Sequence, residues 1–99
     1  MAFFGTVIEW RGPAPFLFVA VPEEHVGELR YAARQASYGW GVVPVEAAIQ
    51  GAASATSLFP RDGGYLLPLK VAVQTAAGVG LGDRVQVRIT AAHKADTPQ

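Results

Sequence analysis

Two halves of the chain repeat one order of predicted elements, which is strand, strand, helix and strand. These elements are assigned from β-branched and aromatic runs, from alternation, and from helical spacing of apolar residues. The first half has predicted strands at 3–10 and 16–21, a helix at 22–36 and a strand at 43–49. The second half has predicted strands at 54–59 and 65–67, a helix from Pro68 to Ala77 that Gly78 is placed to cap, and a strand at 84–90. Neither half has enough apolar surface to fold alone, so this pseudo-repeat predicts two halves that share one core.

Six strands with both faces partly apolar, and two short covering helices, predict a small closed β-barrel. Closure is favoured because it removes the unpaired edges of a sheet. Alternation in the third strand of each half predicts a shared core that contains Val45, Ile49, Val85, Val87 and Ile89. We therefore expect a mainly β (α+β) single domain over residues 1–91, with turns at 11–14 and 38–41. A flexible tail is expected at 92–99.

Net charge and apolar runs limit the classes of partner. Eight basic and eight acidic residues give a formal charge of zero. A protein that binds a phosphate polymer usually needs a basic excess, so nucleic acid is not the expected partner. The longest apolar run, at 14–22, is shorter than the roughly 20 residues that span a bilayer. We expect a soluble, cytoplasmic protein with no membrane partner.

Residues for catalysis and metal binding are sparse. The chain has no cysteine, which excludes disulfides, thiolate nucleophiles and sulfur-ligated metals. His25 and His93 have no evident nucleophile or ligand set, so both are expected to be surface histidines. Glu46 is expected to be solvated opposite the core, and Asp83 to bond the backbone of its own turn. No metal, no cofactor and no catalytic residue is expected.

The stretch "FPRDGGYLLPLK", residues 59–70, looks most like a binding site. A phosphate-cradling loop leads directly into a helix, whereas three residues here separate the glycines from the predicted helix. Asp62-Gly63 is instead a hairpin signal, which predicts a positive φ at Gly63 or Gly64. The alternative is an anion site, because a lysine in a first helical turn is unfavourable without a nearby negative charge.

The alternative site has four candidate ligand-binding residues. Arg61 and Lys70 flank the hairpin, and Arg88 is a third candidate. Arg30 and Arg34 are four residues apart on one helical face, and this like-charge spacing favours a counter-charge. Arg34 is therefore the fourth candidate, although a solvated arginine pair is the simpler interpretation.

Aromatic residues allow a second kind of ligand. Trp10, Tyr38 and Trp40 are expected to pack in the barrel, as aromatic residues do in small barrels. The alternative is that they line a pocket. A small anionic or aromatic ligand is thus retained as an alternative, and the oligomeric state stays open.

Several motifs resemble a known family, the small prokaryotic domain of unknown function numbered 1905. The resemblance runs from about Phe3 to Ile89. The matching segments are Trp40-Gly41 before Val43-Pro44-Val45, then 56–60, 63–70, and Gly82-Asp83 before Val85 and Val87. It implies a fold similar to the double-split β-barrel, which transition-state-regulator DNA-binding domains share, and it implies no established activity. This chain departs from the family pattern at Ser54-Ala55, where an aromatic residue is usual, and at Gln74, where arginine is common.

Three functions follow in order of preference. The first is a non-catalytic barrel that binds a small molecule or a partner protein. The second is a nucleic-acid-binding regulator, which the fold resemblance favours and the zero net charge disfavours. An enzyme is the least favoured, because no nucleophile and base pair is evident.

Overall fold

The computed structural model describes residues 1–10, 16–36 and 42–91. The strands are β1 (Ala2–Trp10), β2 (Phe16–Ala20), β3 (Val43–Ile49), β4 (Ala52–Arg61), β5 (Gly64–Leu69) and β6 (Arg84–Ala91). The helices are α1 (Val26–Ala36), preceded by a 3-10 turn at Glu23–His25, and α2 (Val71–Ala77). The predicted turns at 11–14 and 38–41, and the predicted tail at 92–99, lie outside the described residues.

The six strands form a closed barrel. The order around the barrel is β1-β2-β5-β4-β3-β6, and every neighbouring pair is antiparallel. The two short helices lie outside the hydrogen-bonded ring. The prediction of a mainly β, six-stranded closed barrel with two short helices is therefore confirmed.

Strand pairing follows the same pattern in both halves. β1 pairs with β6 through residues 2–6 and with β2 through 7–10. β4 likewise pairs with β3 through residues 52–58 and with β5 through 59–61. Exchanging β1, β2 and β3 with β4, β5 and β6 leaves the order around the ring unchanged. The pairing agrees with the predicted arrangement of two halves, while the repeat in the sequence itself stays a prediction.

The core lies inside the barrel, as the alternation predicts. The five core residues predicted from the third strands are each at most 2% exposed: Val45, Ile49, Val85, Val87 and Ile89. Arg84, Gln86, Arg88 and Thr90 alternate with them in β6 and are exposed. Burying a valine or isoleucine side chain contributes roughly 1.5 to 3 kcal/mol, so this row supplies much of the stability of the fold.

A close contact between β1 and the core requires a glycine in β1. Gly5 pairs with Val85 of β6, and β1 changes its partner to β2 at Val7, two residues later. A Cβ atom at Gly5 would lie only 2.5 Å from Cγ1 of the buried Val19 in β2. Real Cβ atoms do not approach another atom so closely, so glycine at this position lets Val19 fill the core.

The second helix begins later than the sequence predicts. Pro68 was expected to start it, yet Pro68 lies in β5 opposite Phe18 of β2. Leu67 and Leu69 on either side point into the core and are buried, which keeps this segment extended, and the fixed φ of proline is compatible with a strand. The helix runs from Val71 to Ala77, and Gly78 after it has a φ of 69°, which confirms the predicted glycine cap.

Neither described helix has the length and apolar character that crossing a bilayer requires.

Candidate functional site

The glycine-bearing stretch forms a two-residue hairpin turn between β4 and β5. Arg61 and Gly64 are paired across the strands, and the turn residues Asp62 and Gly63 have φ values of 50° and 81°. Positive φ at both central residues is the geometry that matches the twist of a β-hairpin. The predicted turn and the positive φ at Gly63 are confirmed.

Lys70 is the residue before α2 rather than part of its first turn, which corrects the sequence interpretation. It has an extended backbone with φ of −68° and ψ of 153°. Its Nζ atom donates a hydrogen bond to the carbonyl oxygen of Ala55 in β4 at 3.0 Å. A backbone carbonyl of the protein thus supplies negative partial charge to this cation, and an external anion is not needed to explain the lysine.

The other three candidate ligand-binding residues lie on different elements. Arg61 is the last residue of β4, and its Nε atom is 3.5 Å from Oδ2 of Asp62. Arg34 is exposed on α1, and Arg88 is exposed on β6, which stands across the barrel from the strand that leads to Lys70. Arg88 therefore faces away from Lys70. Anion binding by Arg34, Arg61, Lys70 and Arg88 stays a prediction.

Arg30 has a structural role that the sequence pattern did not reveal. Its Nη2 atom donates to the carbonyl oxygen of Gly63 at 3.0 Å, so α1 is fastened to the β4–β5 turn. Val26, one turn earlier in α1, is buried, and its side chain packs near Gly64. The two contacts set the position of α1 at this end of the barrel.

His25 is largely buried, and the expectation of a surface histidine is wrong for this residue. Its side chain is 19% exposed, and its ring centroid lies 5.8 Å from that of Phe3 in β1. The 3-10 turn that precedes α1 directs the ring toward the barrel. Nε2 is shielded from solvent and has no hydrogen-bond partner among the described residues, and Oε2 of Glu24 lies 3.5 Å from it. His93 lies outside the described residues.

The acidic residues behave as the sequence predicts. Glu46 is exposed on β3 between the buried Val45 and Ala47. Asp83 accepts a hydrogen bond from the backbone N–H of Gly80 at 2.8 Å, within the turn before β6. Within residues 1–10, 16–36 and 42–91, no group of three or more metal-ligating side chains forms a metal site.

A row of apolar side chains crosses the outer surface of the barrel. Ile8 of β1 pairs with Phe18 of β2, and Phe18 pairs with Pro68 of β5. Val7, Val19, Leu67 and Leu69, which adjoin them in the strands, are buried, so alternation places all three side chains on the outside. Glu9, which follows Ile8, is itself exposed. The row is continuous over three neighbouring strands.

Further apolar groups extend this row into a surface. Phe16 is 58% exposed and its ring meets that of Phe18 edge-on, with centroids 6.4 Å apart. Phe59 of β4 is 45% exposed and pairs with Leu66 of β5. We name as the contact face the outward residues Phe4, Thr6, Ile8, Phe16, Phe18, Phe59, Leu66, Pro68 and Ala20.

The contact face carries no charged side chain among its members. Charged side chains lie at its border. They are Arg84 of β6, whose Cζ lies 5.1 Å above the ring of Phe4, the exposed Arg61, two residues from Phe59, and the exposed Lys70, two residues from Pro68. An apolar patch of this kind on a small protein commonly marks an interaction site. In the sequence, apolar residues occupy both the inward and the outward positions of β1, β2 and β5. This pattern indicates closure of the barrel, but it does not indicate an exposed apolar face.

The predicted aromatic pocket involves residues that are not described. Tyr38 and Trp40 lie outside the described residues, and nothing is described of the side chain of Trp10. Binding of an aromatic ligand by these residues stays a prediction.

The fold and its surface define a class of protein: a small closed β-barrel domain of six antiparallel strands with an apolar outer face. A family model described as "Domain of unknown function (DUF1905)" matches residues 3–89, so the chain belongs to this family. A search of curated proteins finds none that is similar to this chain. The resemblance seen in the motifs is thereby confirmed.

Proposed function

We propose that this chain is a non-catalytic binding domain that docks a partner protein on its contact face. The observation that carries the proposal is the aligned row of Ile8, Phe18 and Pro68, flanked by the exposed rings of Phe16 and Phe59. Aromatic residues at the centre of a surface, with charged groups at its rim, are typical of protein interfaces.

The shape of the face favours a protein over a small molecule. Small ligands bind in concave pockets that surround most of their surface. The contact face is the outside of a closed barrel whose interior is filled by buried side chains. A broad external surface of this kind is covered by another macromolecular surface.

The energetics require that most of the face be covered. Ile8, Phe16 and Phe59 are about half exposed, and burying the remaining half of each contributes roughly 1 kcal/mol. The total of about 3 kcal/mol is below the approximately 4 to 15 kcal/mol that association costs in lost freedom. Phe4, Phe18 and Leu66 must then be covered too, which favours a folded surface over a short peptide.

Site-specific photocrosslinking in cells tests this function. A photoreactive phenylalanine analogue replaces Phe16 in one variant, and Tyr31 of α1 in a matched control variant. Tyr31 is an aromatic residue that is 63% exposed and lies outside the contact face. We expect a discrete protein adduct at position 16 and none at position 31. The absence of an adduct at position 16, or equal adducts at both positions, would contradict the proposal.

A further inference from the structure

The border of the contact face is basic, and we infer that the partner is an acidic protein surface, in which an apolar centre is flanked by aspartate or glutamate side chains. This inference rests on the proposed function, because it names the chemistry of the protein that occupies the same surface. It follows from the positions at which the strand register places the charged residues of the chain.

Arg84 of β6 marks one side of the contact face. It is exposed and pairs with Thr6 of β1, which is a member of the face. Its Cζ atom lies 5.1 Å from the centroid of the Phe4 ring, a cation–π contact that holds the guanidinium over the apolar surface. A partner that covers Phe4 therefore meets this positive charge.

Lys70 marks another side of the face. The pairing of Leu17 with Leu69 continues to the next residues, so the exposed Lys70 lies beside the exposed ring of Phe16. The ammonium donates to the carbonyl oxygen of Ala55 at 3.0 Å. A carbonyl oxygen has no net charge, so the border keeps the full positive charge of the lysine.

The two cations are far apart. The register places Arg84 level with Thr6, and Lys70 level with Trp10. They are three strands apart, about 14 Å across the sheet, and about 13 Å apart along the strands, which gives a separation of roughly 20 Å measured along the sheet. The acidic groups of the partner must then lie on opposite margins of its apolar centre.

The zero net charge of the chain hides a separation of its charges. Alternation divides the side chains of the described strands into an inward and an outward set. The charged members of the outward set are the cations Arg61, Arg84 and Arg88 and the anion Glu46. Glu46 pairs with Ala55 on β4, which lies between it and Lys70, so it does not border the face.

The other described acidic residues lie outside the outward set. They are Glu9, Glu23, Glu24, Glu28, Asp62 and Asp83. Glu9 shares the inward phase of β1 with Val7, and Asp62 offsets the charge of Arg61 at 3.5 Å. The inference therefore depends on Arg84 and Lys70 rather than on Arg61.

A basic border selects the partner by the sign of its charge. Opposite charges at the rim of an interface speed association, and like charges exclude wrong partners. A second copy of this chain is disfavoured, because it has the same basic border. Single-stranded nucleic acid is also anionic, but it stacks its bases on aromatic rings, whereas the central row contains the aliphatic Ile8 and Pro68. The face therefore fits an acidic protein better.

Charge reversal, combined with the photocrosslink at position 16, tests the inference in cells. Arg84→Glu and Lys70→Glu are each expected to reduce the protein adduct at least about threefold, and the double variant at least about tenfold, because attraction becomes repulsion. Arg34→Glu, at an exposed position of α1 outside the face, is the matched control and should leave the yield unchanged. Melting curves establish that each variant is folded.

Variants that keep the charge separate electrostatics from packing. Arg84→Lys and Lys70→Arg should retain most of the adduct, since each keeps a cation at the border. Losses as large as those of the glutamate variants would overturn the inference, because the side chains would then act through their shape.

Two synthetic amphipathic helical peptides supply a defined probe. They share one apolar face and differ only in its flanks, which are glutamate in one peptide and lysine in the other. Irradiation of the purified position 16 variant should give at least about three times more adduct with the glutamate peptide, and high salt should remove the difference. Equal yields at low salt, or a greater yield with a single-stranded oligothymidylate, would overturn the inference.

Failure of the inference is distinguishable from failure of the proposed function. A cellular adduct at position 16 that is unchanged in Arg84→Glu and Lys70→Glu overturns the acidic partner and retains protein docking. The absence of any adduct at position 16 contradicts both.

Discussion

The guanidinium of Arg30 and the carbonyl oxygen of Gly63 form a hydrogen bond of 3.0 Å that joins α1 to the β4–β5 turn. The donor is on a helix surface and the acceptor is in a hairpin far along the chain. The bond therefore connects elements from the two halves of the sequence. The bond gives Arg30 a structural role, whereas its spacing of four from Arg34 alone favours a solvated side chain.

Arg30→Ala is expected to lower the free energy of unfolding by about 0.5 kcal/mol, because an exposed charge-assisted hydrogen bond makes a small net contribution. Arg34→Ala on the same helix face is the control and should leave stability unchanged. Urea unfolding measures both. Equal losses in the two variants would contradict a specific role for the bond to Gly63.

Gly63→Val is expected to lower the free energy of unfolding by about 1 to 2 kcal/mol, because a β-branched residue resists the φ of 81° found there. Gly27→Ala provides a control glycine in α1, where a Cβ meets no atom within 4 Å. That substitution should raise stability by up to about 1 kcal/mol through helix propensity. Urea unfolding with opposite signs for the two variants is the expected result, and a neutral Gly63→Val would show that the turn tolerates another geometry.

Gly5→Ala should destabilise the barrel by about 1 to 3 kcal/mol, since the added methyl meets the buried Val19. Val19→Ala removes the opposing methyl groups and is also destabilising by itself. The double variant should be more stable than the sum of the two single effects predicts, because the new methyl occupies part of the space that Val19 leaves. Additive losses in a double-mutant cycle would show that the two sites are not in contact.

Phosphate at constant ionic strength should produce no saturable rise in melting temperature. The ammonium of Lys70 already binds the carbonyl oxygen of Ala55, and Arg88 lies on a strand across the barrel. Lys70→Ala should give the same flat response as wild type. A saturable rise in wild type that Lys70→Ala abolishes would instead establish the anion site.

Duplex DNA should bind no more tightly than about micromolar at physiological salt, the range of non-specific contacts, because the chain has no net positive charge. A fluorescence anisotropy titration at two salt concentrations measures this. A salt-sensitive nanomolar complex would favour the regulator function over a protein-binding domain.

Several features of the barrel are predictable from the sequence because each depends on residues that are close together in the chain. Alternation in 43–49 and 84–90 assigns the inward residues, and Asp62-Gly63 predicts the hairpin that the structure contains. Gly78 marks the end of α2 for the same reason, since a left-handed φ favours glycine.

Features that depend on contacts between distant segments are not predictable in this way. Pro68 satisfies a local rule for a helix start, but burial of the flanking leucines keeps it in a strand. His25 is polar, and only the packing of the 3-10 turn on β1 places its ring against Phe3.

The contact face likewise depends on contacts between distant segments, because the strand register forms it. Ile8, Phe18 and Pro68 lie far apart in the chain, and pairing of β1 with β2 and of β2 with β5 aligns them. Their apolar character is visible in the sequence, whereas the closed barrel decides that they point outward. The contact face could therefore be identified only once the strand register was known.

The yield of the photocrosslinked adduct at position 16, compared between the wild-type background and Phe18→Lys, tests the central claim most directly. Phe18 is at the centre of the contact face, and its ring meets that of Phe16 edge-on. If a protein packs on this face, a lysine at its centre should reduce the adduct at least about tenfold, as loss of a central interface residue does. An adduct whose yield is the same in both backgrounds would contradict the claim that the contact face is the binding surface.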